Sequence, residues 1–239
     1  VTGGMLDENP DLSICPEATR SFPGQPGLIV RDSDGTPLLP KFCFESVTQN
    51  GTLKLTYKDA ANGLTLSVSF ASDPETHVIT CQTTLDASRP VHLHWLAAPV
   101  LPGPQQSDEM IDVSGRWCGE FQLSRTAWAP GMRYRENRTG RTGHEHFPGL
   151  IVPCRGATNT EGEAYAFHYG WSGGHKMIAE ELQDGRRQIQ WGHAARMETE
   201  AATQFKTAPL YISYSNTGLN GCAVAFQRHL RDRIVTWPK

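Results

Sequence analysis

The sequence predicts an all-β protein, two packed antiparallel sheets followed by one C-terminal helix. Three observations carry this expectation. Short segments alternate apolar and polar residues at period two, which sends successive side chains to opposite faces of a strand. Asp34-Gly35, Asn50-Gly51, Asn62-Gly63 and Asp184-Gly185 lie between or beside such segments, and these dipeptides accept the positive φ of tight hairpin turns, so neighbouring strands run antiparallel. One segment alone carries apolar residues at helical spacing.

In chain order, LKLTYK (53–58) places Leu53, Leu55 and Tyr57 on one face, and LTLSVSF (64–70) does the same with Leu64, Leu66, Val68 and Phe70. VHLHWL (91–96), AYAFHYGW (164–171), RQIQWG (187–192) and LYISYS (210–215) continue the strand signal. The pattern then changes. NTGLNGCAVAFQRHLRDRIV (216–235) sets Leu219, Cys222, Ala223, Phe226, Leu230 and Ile234 three or four apart, with arginines on the other side and Pro238 beyond. We therefore expect one β domain over 1–215 and a connector helix over 216–239. At 239 residues, a single large sandwich accommodates the chain.

Hydrophobic residues make up 38% and charged residues 20%, with 23 glycines and 16 prolines, the balance of a turn-rich folded chain and not of a disordered one. A net charge of −3 provides no field to gather nucleic acid or an anionic membrane, so neither is an expected partner. No apolar run reaches transmembrane length, and no basic-then-apolar leader opens the chain. The six cysteines (15, 43, 81, 118, 154 and 222) stand far apart without the close pairs of structural zinc sites. Their even number is compatible with disulfides, but most sit among apolar neighbours as small core residues do, and we expect reduced thiols in a cytoplasmic protein. The sequons at Asn50 and Asn137 are then incidental. A start at Val1 and an ending in TWPK lead us to expect a piece of a longer polypeptide.

The richest chemistry lies in ENRTGRTGHEHFPG (136–149). Here His144 and His146, like His92 and His94, form a His-x-His pair whose rings share one side of a strand, as two ligands of a metal would; packing histidines have the same pattern, and no third ligand accompanies either pair. We expect no metal and no cofactor. Arg133, Arg135, Arg138 and Arg141 offer guanidinium forks for phosphate or carboxylate, or partners for Glu120, Glu136 and Glu145; the alternation of acids and bases favours the structural role. No serine occupies a Gly-x-Ser-x-Gly elbow and no cysteine adjoins an activating group. Among the six tryptophans, Trp117, Trp128, Trp171 and Trp191 serve either as core or as platforms for a sugar ring.

Several blocks resemble the N-terminal domain of family 36 α-galactosidases, in order and at matching spacing: GRWCGEFQLSR (115–125), RENRTGRTGHEHFPGLIV (135–152), EGEAYAFHYGWSGGHKM (161–177), DGRRQIQWG (184–192) and APLYISYSNTGLNGCAVAFQRHLR (208–231). The opening 28 residues are similar to the same domain of bacterial members, so the likeness spans essentially the whole chain. It implies a β-supersandwich followed by a (β/α)8 barrel that holds the two aspartates of a retaining mechanism, and after it a small β domain. The family nucleophile lies in a Lys-x-Asp motif, which occurs nowhere here, and the Ser-Asp-Asp type of sequence that carries the acid/base is absent as well. Tetrameric members carry a Gly-Asp-Phe-Arg loop that reaches a neighbouring subunit's active site; the corresponding Arg20–Gly27 region lacks that aspartate.

The resemblance thus implies a non-catalytic domain of an enzyme that hydrolyses terminal α-D-galactosides of the melibiose or raffinose type. Its partners would be its own barrel, other copies of the full-length enzyme, and the galactoside through the barrel. An independent carbohydrate-binding module with exposed tryptophans is the alternative. No catalytic residue is expected in this chain. Arg116, Trp117, Arg138, Arg141, His144 and His146 form the candidate structural or interdomain cluster.

Overall fold

The computed structural model describes residues 10–143, 145–194 and 200–237. Its first four strands are β1 (Leu28–Asp32), β2 (Cys43–Gln49), β3 (Thr52–Asp59) and β4 (Leu64–Ser72). Then follow β5 (Ile79–Leu96), β6 (Leu101–Pro102), β7 (Glu109–Arg116), β8 (Gly119–Ala127) and β9 (Gly131–Asn137). The remaining strands are β10 (Gly149–Pro153), β11 (Ala164–Tyr169), β12 (His175–Glu181), β13 (Arg187–His193), β14 (Ala202–Lys206) and β15 (Leu210–Ser215). Helix α1 (Leu219–His229) continues into a wider helical turn, Leu230–Ile234.

The fold is antiparallel β, as expected, in two sheets. The large sheet runs β2-β3-β4-β5-β15-β11-β10-β7-β8, with β1 and β14 also paired to β5. The small sheet is β12-β13-β6, and β9 packs beside β12. The glycines of the four turn dipeptides all take positive φ: Gly35 86°, Gly51 71°, Gly63 66° and Gly185 82°.

Period-two burial explains the core. Phe167 and Tyr169 of β11, Leu150 and Val152 of β10, and Leu210 of β15 face Met177 and Ala179 of β12 and Ile189 and Trp191 of β13. Phe167 stacks on Trp191 with ring centroids 5.6 Å apart. A second core lies where Leu64, Leu66 and Val68 of β4 meet Leu28 and Val30 of β1 and Leu85 and Val91 of β5. One strand serves both cores: β5, 18 residues long, pairs with β4 and β15 through its first half and with β1 through its second.

The predicted helix forms, but its first residue is Leu219. Gly218 sets that start. At φ 77° it packs so closely on the β10–β11 connection that a Cβ would lie 2.5 Å from the Thr158 carbonyl oxygen. Cys222 is buried against Ala164 and Ala166 on the outer face of the large sheet, with Leu219 and Phe226 half-buried around it. Beyond His229 the stripe loses its cover, and Leu230, Ile234 and Trp237 are exposed.

Candidate functional site

Strands β7 and β8 form a hairpin at the edge of the large sheet, and three positive-φ positions curl its tip: Gly115 (158°), Cys118 (65°) and Phe121 (52°). A Cβ on Gly115 would lie 2.1 Å from the Gly119 carbonyl oxygen, so a side chain there is incompatible with this curl. Between these positions Trp117 stands 82% exposed. The neighbouring Arg116 places Nε 3.3 Å from Oε1 of Glu145, tying the hairpin tip to the connection between β9 and β10.

That connection is organised by Asn137, a buried residue whose side-chain oxygen accepts from Thr139 N (2.9 Å) and whose amide donates to the Arg141 carbonyl (2.6 Å). Arg138 pairs with Glu136, Nη2 to Oε2 at 2.5 Å. Arg141 is exposed, and Thr142 reaches the β11–β12 turn, donating to the Trp171 carbonyl from Oγ1 at 3.1 Å. His146 is half-buried, with Nδ1 shut off from solvent and no hydrogen-bond partner. His144 lies outside the described residues. The structure therefore links Arg116 to the connection holding Arg138, Arg141 and His146.

Arg133 and Arg135 correct one expectation. Their shared partner is Asp112 of β7, 2% exposed, and not Glu120, Glu136 or Glu145. Residues two apart on β9 point the same way, so both guanidinium groups face the inner side of the large sheet, where Asp112 stands. Glu120 instead accepts from the backbone N–H of Cys118.

Sequence reasoning also passed over an aromatic row on the outer face. Phe121 and Phe147 meet edge to face at 6.1 Å, and Phe147 lies 5.2 Å from the His168 ring. His168 stands opposite Tyr211 in the β11–β15 register, and Tyr211 lies 5.5 Å from His229 at the end of α1. Leu123 shares this face: it is two residues from Arg125, which is paired with Ile111, which in turn lies opposite Ile151 of the helix-covered cluster. Alternate outward apolar residues on β8 were the available signal.

Burial lowers the pKa of His168 and of His193, and it does the same for His175, which is 1% exposed and further discouraged from charging by His146 and His168. Nδ1 of His175 has no hydrogen-bond partner among the described residues. No group of three His, Cys, Asp or Glu able to hold a metal occurs among those residues. The buried carboxylates are structural acceptors. Asp59 takes the N–H groups of Lys41 and Ala61 at 3.0 Å, and Glu180 those of Gln25 (2.8 Å) and the Gln188 amide (2.6 Å). Glu17 accepts from Phe42 N and Arg20. Trp95, Trp128 and Trp191 are core, whereas Trp117 and Trp171 are exposed on separate turns. All six cysteines are free, and burial pushes the Cys81 thiol up to about 12. No helix among the described residues is long and apolar enough to cross a membrane.

Comparison with known proteins adds the context. Residues 4–199 match the family described as the Glycosyl hydrolase family 36 N-terminal domain. An alpha-galactosidase of Escherichia coli is 35% identical over 248 aligned positions, spanning 100% of this chain and 34% of the relative. Alpha-galactosidase AgaA of Geobacillus stearothermophilus is 24% identical, with 82% of this chain and 28% of the relative covered. The crystal structure of AgaA in complex with stachyose superposes with a TM-score of 0.82 at 20% identity, covering 90% of this chain and 33% of that one. The galactosidase domain of the alpha-galactosidase-sucrose kinase AgaSK gives 0.81 over 88% and 32%. The chain thus spans about a third of the length of the relatives it matches.

Proposed function

The chain belongs to the glycosyl hydrolase family 36 N-terminal domain family, and from that premise we propose that it is the non-catalytic amino-terminal part of an α-galactosidase polypeptide. That polypeptide hydrolyses terminal α-D-galactosides of the melibiose or raffinose type with retention of configuration. The two aspartates that do so sit in a downstream (β/α)8 barrel, and this sandwich supports the barrel and its assembly with further copies. Helix α1 and the turn after it connect the two parts, so residues 216–239 form the junction. Six free thiols accord with a cytoplasmic setting.

The observation that carries this reading is the use made of the buried acids. Retention needs two carboxyl groups about 5–5.5 Å apart, one ionised to attack and one protonated to donate. Asp112, Asp59, Glu17 and Glu180 are each occupied by guanidinium or amide donors that hold strands and turns in place. None is poised as an acid beside a nucleophile, and the Lys-x-Asp nucleophile motif is absent from the chain.

The test is the anomeric configuration of the first product that the longer polypeptide releases from nitrophenyl α-galactoside, read by proton NMR. Release of α-galactose supports the reading. Release of β-galactose, or no hydrolysis of any α-galactoside, overturns it.

A further inference from the structure

We infer that the outer face of the large sheet, from the β7–β8 hairpin tip to the end of α1, is the surface on which the downstream catalytic part of the same polypeptide seats. This rests on the function proposed above and names the surface that serves it.

Three of the most exposed large apolar side chains fall within seven residues of one hairpin: Trp117 (82%), Phe121 (60%) and Leu123 (71%). Scattered apolar residues are ordinary on a protein surface, but a run of them on one edge marks an interaction site. The hairpin is also strained in a way that presents them. Cys118 and Phe121 are non-glycine residues held at φ 65° and 52°, which persists only where the surroundings over-determine it. Phe147, packed on the Phe121 ring, is one such constraint.

Continuity with the chain exit identifies the occupant. From Phe121 the aromatic row runs through Phe147, His168 and Tyr211 to His229, where α1 ends. Leu230, Ile234 and Trp237 follow and are again exposed. Two uncovered apolar patches therefore lie at opposite ends of one face, and the polypeptide leaves the sandwich at one of them. This domain is the N-terminal one of its family, and it spans about a third of its relatives. The remaining two thirds follow α1 in sequence and begin beside this face. A body of that size, attached at Trp237, covers both patches by folding back along the aromatic row.

Hydrogen exchange, measured by mass spectrometry on the 239-residue chain and on the longer polypeptide, tests this. We expect at least tenfold slower exchange over 117–125 and 230–237 in the longer polypeptide, with the exposed edge strand 43–49 unchanged. Equal rates over 117–125 in the two proteins overturn the inference. So does protection in the 239-residue chain alone that grows with its concentration, because a second copy is then the cover. Leu123→Asp should leave the melting temperature of the 239-residue chain unchanged but abolish the added protection, whereas Val47→Asp on β2 should alter neither. If Leu123→Asp leaves that protection intact, the face is not the seat. Protection without galactoside hydrolysis would sink the proposed function and leave the docking surface standing.

Discussion

Arg135 closes a two-point fork on Asp112, with Nε 2.9 Å from Oδ2 and Nη2 2.7 Å from Oδ1. Arg133 adds a third contact at 2.7 Å to Oδ2. The carboxylate belongs to β7 of the large sheet and the arginines to β9, which lies beside the small sheet, so this triad fastens the two layers together at one end. Asp112→Ala leaves two guanidinium groups facing an apolar gap. We expect a loss of about 3 kcal/mol, the lower end for breaking a buried pair because both arginines reach solvent. Urea denaturation measures it, and a loss below about 1 kcal/mol would mean that the layers are held elsewhere.

The two ends of the C-terminal helix differ in cover, and their energetics should differ with them. Phe226→Ala should cost about 2 kcal/mol, reduced from a full core cavity because Phe226 is only half-buried. Ile234→Ala in the isolated chain should cost less than about 0.5 kcal/mol. Equal losses in dilute monomer would show that the helix docks along its whole length on the sandwich.

Two glycines with similar φ should tolerate alanine very differently. Gly35 (φ 86°) has open space around it, so Gly35→Ala brings only the left-handed backbone cost, about 1 kcal/mol. At Gly218 (φ 77°) the added methyl also meets the Thr158–Glu161 backbone, and we expect about 3 kcal/mol. Thermal unfolding of both variants checks the order; the reverse order would contradict the placement of the helix start.

Acid should destabilise the sandwich. Burial keeps His168, His175 and His193 neutral when folded, with pKa values below the ordinary 6.5. The unfolded chain then binds more protons, so stability starts to fall as pH drops through 6.5 and goes on falling until the depressed folded values are passed. Melting temperature measured from pH 8 to 5 should decline below 6.5, and His175→Gln should flatten the decline. A profile that is flat from 7 to 5 would show that these rings charge freely in the folded state.

Most of the architecture was legible in short, regular segments. LKLTYK, LTLSVSF, RQIQWG and LYISYS all lie in strands because their alternation is uninterrupted, and each turn glycine has the φ its dipeptide signalled. The length of β5 was not legible, because Asp86, Arg89 and Pro90 break its pattern exactly where it passes from one set of partners to the next. The helical stripe was legible as far as Ile234, but not which half of it has cover, since that depends on the sheet beneath. In the candidate cluster the sequence identified Arg116, Arg138 and His146 as a group, yet Asp112, Phe147 and His168 stood too far away in the chain for periodicity to connect them. Contacts between non-adjacent strands are set by tertiary register, which no local pattern encodes.

The most direct test of the account is an assay of this chain alone with nitrophenyl α-galactoside. The account predicts no turnover above buffer for the purified 239-residue protein at any concentration, while the longer polypeptide containing it hydrolyses the same substrate. Turnover that scales with the amount of this chain and survives removal of trace host enzyme would contradict it.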